Sequence, residues 1–212
     1  MLSCSNEELI LPPDQDAANQ LTQSSSLRAT LEQIREKETT TGRAMTSELC
    51  FNFVYPITLG YNTSADVEVA SYTDLIELLL NESLDSHITS ISYPFEVELS
   101  ADASVQTVAN EDEFYTLVEN CGYDHLEYED VVDAVSDCFT INYPITVIVN
   151  DDEVTFDSEA MAQSYFLNNY QTITSVTIAY PLSVTLTADN SEFIATDDYE
   201  AIYLINDICG IN

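Results

Sequence analysis

Two stretches of this 212-residue chain nearly repeat each other: CFNFVYPITL from Cys50 and CFTINYPITV from Cys138. Each opens a span that closes on a further cysteine after the same interval, at Cys121 and Cys209. The Tyr-Pro pair recurs twice more, at Tyr93-Pro94 and Tyr180-Pro181, with no cysteine before it. Such self-similarity marks internal duplication, so whatever one half folds into must be built twice.

Aligned on Tyr-Pro, residues 50–212 divide into four units. Each has an alternating or β-branched strand, a polar turn, a shorter strand and a helical segment. The turns fall at Gly60 to Asp66, Ser100 to Ser104, Asn150-Asp151-Asp152 and Ala188 to Ser191, where Asn, Asp, Ser and Gly suit hairpin geometry. Ser71, Asn110, Asp157 and Thr196 end the second strands and are expected as helix N-caps, with Asp74 and Glu113 placed for capping boxes. Expected core positions on the helices are Leu75, Ile76, Leu79 and Leu80; Phe114, Leu117 and Val118; Met161, Tyr165 and Phe166; and Ile202, Leu204 and Ile205. The fold class is α+β: four ββα units in two ββαββα halves, antiparallel sheets with helices on one face. The expected divisions are a lipidated tether with a short helix (1–49), a first repeat (50–121), an acidic helical linker (122–137) and a second repeat (138–212).

Proline removes a ladder donor, so each Tyr-Pro belongs at a strand edge or bend with a packed tyrosine. Alternatively, Tyr55, Tyr93, Tyr143 and Tyr180 form a binding face for sugar rings. Equal spacing fits two disulfides, Cys50–Cys121 and Cys138–Cys209, one stapling each half. Four free thiols or a metal site compete with that pairing, although short Cys-x-x-Cys spacing is absent. Disulfides would stabilise each small half and imply an oxidising, extracytoplasmic compartment.

The charge balance is extreme. Formal net charge is −34, and all four basic residues (Arg28, Arg35, Lys37, Arg43) lie within the first 43 positions. Only seven of the 38 acids share that segment, which leaves 31 acids and no Lys or Arg in residues 44–212. Such a body repels nucleic acid and anionic headgroups and draws cations. No stretch is apolar for long enough to span a membrane as a helix.

Leu2-Ser3-Cys4 resembles the end of a bacterial lipoprotein signal, with Cys4 as the lipidated residue. The acids after it, Glu7 and Glu8, are similar to the signal that sends Bacteroidota lipoproteins to the cell surface. The basic and apolar parts of a signal are not in the sequence, so its first residue is expected to lie inside one. Residues 5–26 are polar and suit a tether; Leu27, Leu31 and Ile34 then recur at helical spacing. The pattern CF-x-x-x-YP-[IV]-T-[VL], followed by hairpin, acidic helix and closing Cys, resembles secreted lipoproteins of marine Bacteroidota over about residues 50–209. The turn departs from that pattern, with Asn150-Asp151-Asp152 in place of Asp-Gly. The resemblance implies a cell-surface, outer-membrane lipoprotein of a Gram-negative bacterium, and it carries no catalytic residues.

Chemistry is sparse. His87 and His125, the two histidines, are expected in loops, and no Ser/His/Asp arrangement is recognisable. Asp151, Asp152 and Glu153 share one turn, Asp189 and Glu192 another, and Asp197 and Asp198 a helix start; these are the candidates for Ca2+. No D-x-[DN]-x-[DN]-G loop is present. The expectation is a non-enzymatic surface lipoprotein that binds a ligand or belongs to the envelope, with no cofactor. Membrane contact comes only through the N-terminal lipid, no nucleic acid is bound, and a glycan, cation or protein is the partner. A Ca2+-binding adhesion module stands second and a carboxylate-based glycoside hydrolase third.

Overall fold

A computed structural model describes residues 21–39, 49–126, 131, 138–150 and 152–210. It contains the four antiparallel β-rich units with their helices, but the strands pair across units. In the first half the chain runs β2 (Phe51–Val54), β3 (Ile57–Tyr61), β4 (Asp66–Val69), α2 (Tyr72–Leu80), β5 (Ile88–Ser92), β6 (Phe95–Leu99), β7 (Val105–Val108) and α3 (Glu111–Cys121). Tyr55-Pro56 separates β2 from β3, and Tyr93-Pro94 separates β5 from β6; both peptide bonds are cis. Proline cannot donate to a ladder, and at each such point the strand leaves one sheet for another. β3 pairs with its hairpin partner β4 and with β5 of the neighbouring unit, while β6 pairs with β7 and with β2. The two units thus exchange their first strands and cannot come apart without breaking both sheets.

The second half repeats this arrangement. β8 (Phe139–Ile141), β9 (Ile145–Val149), β10 (Asp152–Phe156), α4 (Glu159–Asn169), β11 (Val176–Ala179), β12 (Leu182–Leu186), β13 (Glu192–Ala195) and α5 (Asp198–Tyr203) follow in order. The sheets run β10-β9-β11 and β13-β12-β8, again broken at cis Tyr143-Pro144 and Tyr180-Pro181. Among the described residues, each of the four hairpins has a residue in the left-handed region: Ser64, Ala103, Asn150 and Asn190. Asp102 and Asp189 support two of these turns, each accepting from the backbone N–H and hydroxyl of the serine two residues on.

Strand alternation builds the core. Phe51 and Phe53 point inward with Asn52 outward, and Phe95 and Val97 point inward with Glu96 and Glu98 outward. Phe114 on α3 meets Phe95 edge-on, with ring centroids 5.0 Å apart. The second half has its own core, including Phe139, Phe156, Val147, Val184 and Leu204. Disulfides join Cys50 to Cys121 and Cys138 to Cys209, each tying a half's first strand to its last helical segment. Gly122 and Gly210 follow the closing cysteines in the left-handed conformation that ends a helix, where a Cβ is penalised.

Several expectations are corrected. Ser71 and Asn110 cap α2 and α3, but Ser158 and Asp197, not Asp157 and Thr196, cap α4 and α5. In all four units one residue separates the strand end from the cap, so the orphan N–H groups fall to Ser158 and Asp197, one position beyond Asp157 and Thr196. Glu113 and Glu200 reach past their caps to the N–H groups of Ala109 and Thr196. Leu80 and Met161 lie outside the core, 56% and 48% exposed.

The helix at Ser25–Thr39 (α1) is no part of a stalk. Leu27, Leu31 and Ile34 are buried in the first core, and β1 (Leu21–Gln23) extends the first sheet by pairing with β5. Of the acidic linker, Leu126 and Val131 pack into the second core; most of the segment, like Cys4 and Asp151, lies outside the described residues.

Candidate functional site

Two places gather functional groups. The first is a buried polar junction where α1 and the two halves meet. Arg28, only 4% exposed, donates to both carboxylate oxygens of Glu82 at 3.1 and 2.8 Å, to Glu32 at 3.0 Å and to the Ile88 carbonyl at 2.6 Å. Arg35 joins Glu82 and Glu32 from two turns further along α1. Both guanidinium groups also lie over the ring of Tyr199 on α5, Arg28 at 4.9 Å from its centroid. Burial disfavours the Arg28 charge, but the Glu82 and Glu32 carboxylates outweigh it and hold its pKa above the ordinary value.

His87 completes the junction. It precedes β5, is fully buried and stacks on Tyr199 with centroids 4.4 Å apart. Its Nδ1 is 3.1 Å from the Ser83 carbonyl and its Nε2 2.8 Å from Asp197 Oδ2. A carbonyl and a carboxylate only accept, so this geometry calls for two ring N–H donors, the imidazolium form. Burial alone pushes the pKa down; the hydrogen bond and charge of Asp197 reverse that and raise it. Burial likewise opposes Asp197, yet His87 and the Glu200 N–H hold its carboxyl below the usual range.

Among the described residues, His87, Asp197 and Glu200 are the three whose ligand atoms lie close enough, within 4.8 Å, to share a metal ion. Each is already engaged: Asp197 also caps α5, and Glu200 accepts from the Thr196 N–H and hydroxyl. The other acids singled out for Ca2+ have separate roles. Asp152 and Glu153 are exposed on β10, Asp189 supports its turn, Glu192 accepts from the Ser183 hydroxyl and Asp198 accepts from Tyr180.

All four Tyr-Pro tyrosines pack on a core, and two of them also bond to the following helix. Tyr93 donates to Glu111 at 2.5 Å, and Tyr180 to Asp198 at 2.7 Å, each reaching the first residue of the helix 18 positions on. Burial, followed by those carboxylates, drives both phenol pKa values up, and burial raises Asp198 as well. The other oxygen of Glu111 accepts from the Ser26 N–H and hydroxyl, which fastens α1 to α3. Tyr55 is buried at its hydroxyl with no hydrogen-bond partner among the described residues, while Tyr143 is half-buried. They do not form one sugar-binding face: Tyr55 and Tyr93 pack on the first core, Tyr143 and Tyr180 on the second. His125 leaves the solvent by stacking on Tyr115, with Nδ1 3.3 Å from Glu119 but out of hydrogen-bond alignment.

The second place is an open groove of about 450 Å³ between the β3–β4 hairpin and the end of α2. Tyr61, Ala65, Val67 and Leu78 give it apolar walls, and Thr63, Glu77, Asn81 and Ser86 supply polar groups. The Tyr61 side chain is partly packed on the core, which restrains it in the groove wall. Asn81 is held by its side-chain bond to the Glu77 carbonyl at 2.6 Å. Nothing in the sequence marks this groove, because its residues come from a hairpin, a helix and a later loop.

No protein-family model, no curated protein and no solved structure matches this chain.

Proposed function

We propose that this chain is a non-enzymatic binding module, tethered through Cys4 to a bacterial cell surface, with the α2–hairpin groove as its recognition site. The observation that carries the proposal is the contrast between the two candidate places. At the junction, the carboxylates and the imidazole hold one another and the backbone, so they serve the seam between the halves. At the groove, a half-buried tyrosine and an exposed carboxylate line a space beside apolar walls, in a volume that suits a small ligand.

The two disulfides belong to an oxidising, extracytoplasmic environment. Among the described residues, no helix is long and apolar enough to cross a membrane. Both fit a folded body carried outside the cytoplasm, and the lipid on Cys4 supplies the attachment.

The test is a panel of glycans, peptides and small cations presented to the disulfide-intact chain, with binding and product formation read together. Saturable binding without product is expected. Turnover that disappears when one specific acid is replaced overturns the non-enzymatic assignment.

A further inference from the structure

Resting on that binding-module proposal, we infer that the α2–hairpin groove takes an organic cation, a quaternary or alkylated ammonium group, seated on the Tyr61 ring against the Glu77 carboxylate. The duplication supplies an internal control. In the second half the residue equivalent to Tyr61 is Val149, buried at the end of β9, and the residue equivalent to Glu77 is Ser164. Asn168 makes the same bond to the Ser164 carbonyl that Asn81 makes to the Glu77 carbonyl. The fold therefore needs the asparagine at that helix end but neither the aromatic ring nor the acid. Tyr61 and Glu77 are additions to a scaffold that stands without them.

Their chemistry defines the ligand. An aromatic face attracts a positive charge through its quadrupole, most strongly for a weakly hydrated cation that also wets apolar walls. Ala65, Val67 and Leu78 supply those walls, so an alkylated ammonium fits better than a bare metal ion. Glu77 has no ion-pair partner among the described residues; Arg28 and Arg35 are committed to Glu32 and Glu82. The formal charge of −34 adds a long-range field that concentrates cations and repels anionic ligands.

The experiment is an amide chemical-shift titration of the intact, oxidised chain with choline at constant ionic strength. Parallel arms use its uncharged tert-butyl isostere and a neutral disaccharide. Choline is expected to shift Tyr61, Thr63, Glu77 and Asn81 saturably, and Glu77→Gln and Tyr61→Leu are each expected to weaken it roughly 3- to 30-fold. Glu77 is exposed, so its variant keeps the test open should Tyr61→Leu disturb the fold. Equal binding of the isostere, unchanged affinity in both variants, or no shift at the groove overturns the inference. A disaccharide shifting the groove in place of choline also overturns it but leaves the binding-module proposal standing; turnover of any panel member strikes the latter alone.

Discussion

His87 Nε2 lies 2.8 Å from Asp197 Oδ2, joining the strand-exchanged first half to the helix cap of the second. The two residues are 110 positions apart, and the pair is buried. It sits beside the Arg28–Glu82 ion pair and under the shared face of Tyr199, so α1, the first half and the second half converge on one polar seam.

Removing one partner from this pair leaves the other charge buried and uncompensated. His87→Ala is expected to cost about 3 kcal/mol of folding stability. Asp197→Ala also loses the α5 cap. A double-mutant cycle read by urea denaturation should show a coupling energy above about 1 kcal/mol; a coupling near zero contradicts the seam.

The same pair sets a pH window. The His87 pKa is raised in the folded state, so its contribution is complete below the ordinary histidine value and fades as pH rises through the raised one. The Asp197 pKa is lowered, so its contribution is present above the ordinary carboxylate range and fades as pH falls through the lowered value. Glu200 and Asp197 face the imidazole from α5, and both favour its charge. Asp198 works the other way: its raised pKa favours folding as pH falls. Stability should therefore decline on the alkaline side of the histidine range, and urea midpoints of His87→Gln should lack that decline.

Arg28→Ala should destabilise the protein by about 3–5 kcal/mol, because Glu82, with a side chain only 1% exposed, loses its bidentate partner. Arg35 still reaches Glu82, which places the loss toward the lower end. Thermal unfolding of the variant checks this, and a shift indistinguishable from surface substitutions such as Glu68→Gln contradicts a folded role for α1.

Each disulfide closes a loop with a sequence separation of 71. Replacing either pair with alanine should cost about 4 kcal/mol on the chain-entropy view. Alkylation of the native, unreduced protein followed by mass analysis should leave Cys50, Cys121, Cys138 and Cys209 unmodified.

What could be read from sequence was what is local or repeated. The cysteine pairing follows from equal spacing, the hairpins from Asn, Asp and Ser at the turns, and two of four caps from the polar residue just past a strand. Strand exchange was hidden because Tyr-Pro marks where a ladder must stop but not which strand the next segment joins. The helix itself is legible in the spacing of Leu27, Leu31 and Ile34, but its docking is not, because the stripe follows a polar segment and carries Arg28, a residue that rarely goes inside unless paired. His87 gave no signal, since its partner arrives from a unit far along the chain. The groove was invisible for a similar reason: Tyr61 reads as the end of a strand and Glu77 as the solvated face of a helix.

The most direct measurement is a residue-resolved amide map of the intact, disulfide-bonded chain during the ligand panel, with product formation followed in the same samples. The expected result is saturable shifts at Tyr61, Thr63, Glu77 and Asn81, no product, and an undisturbed His87–Asp197 seam. Product release accompanied by shifts centred on His87, Asp197 and Glu200 contradicts the binding-module account, and places the chemistry at the junction instead.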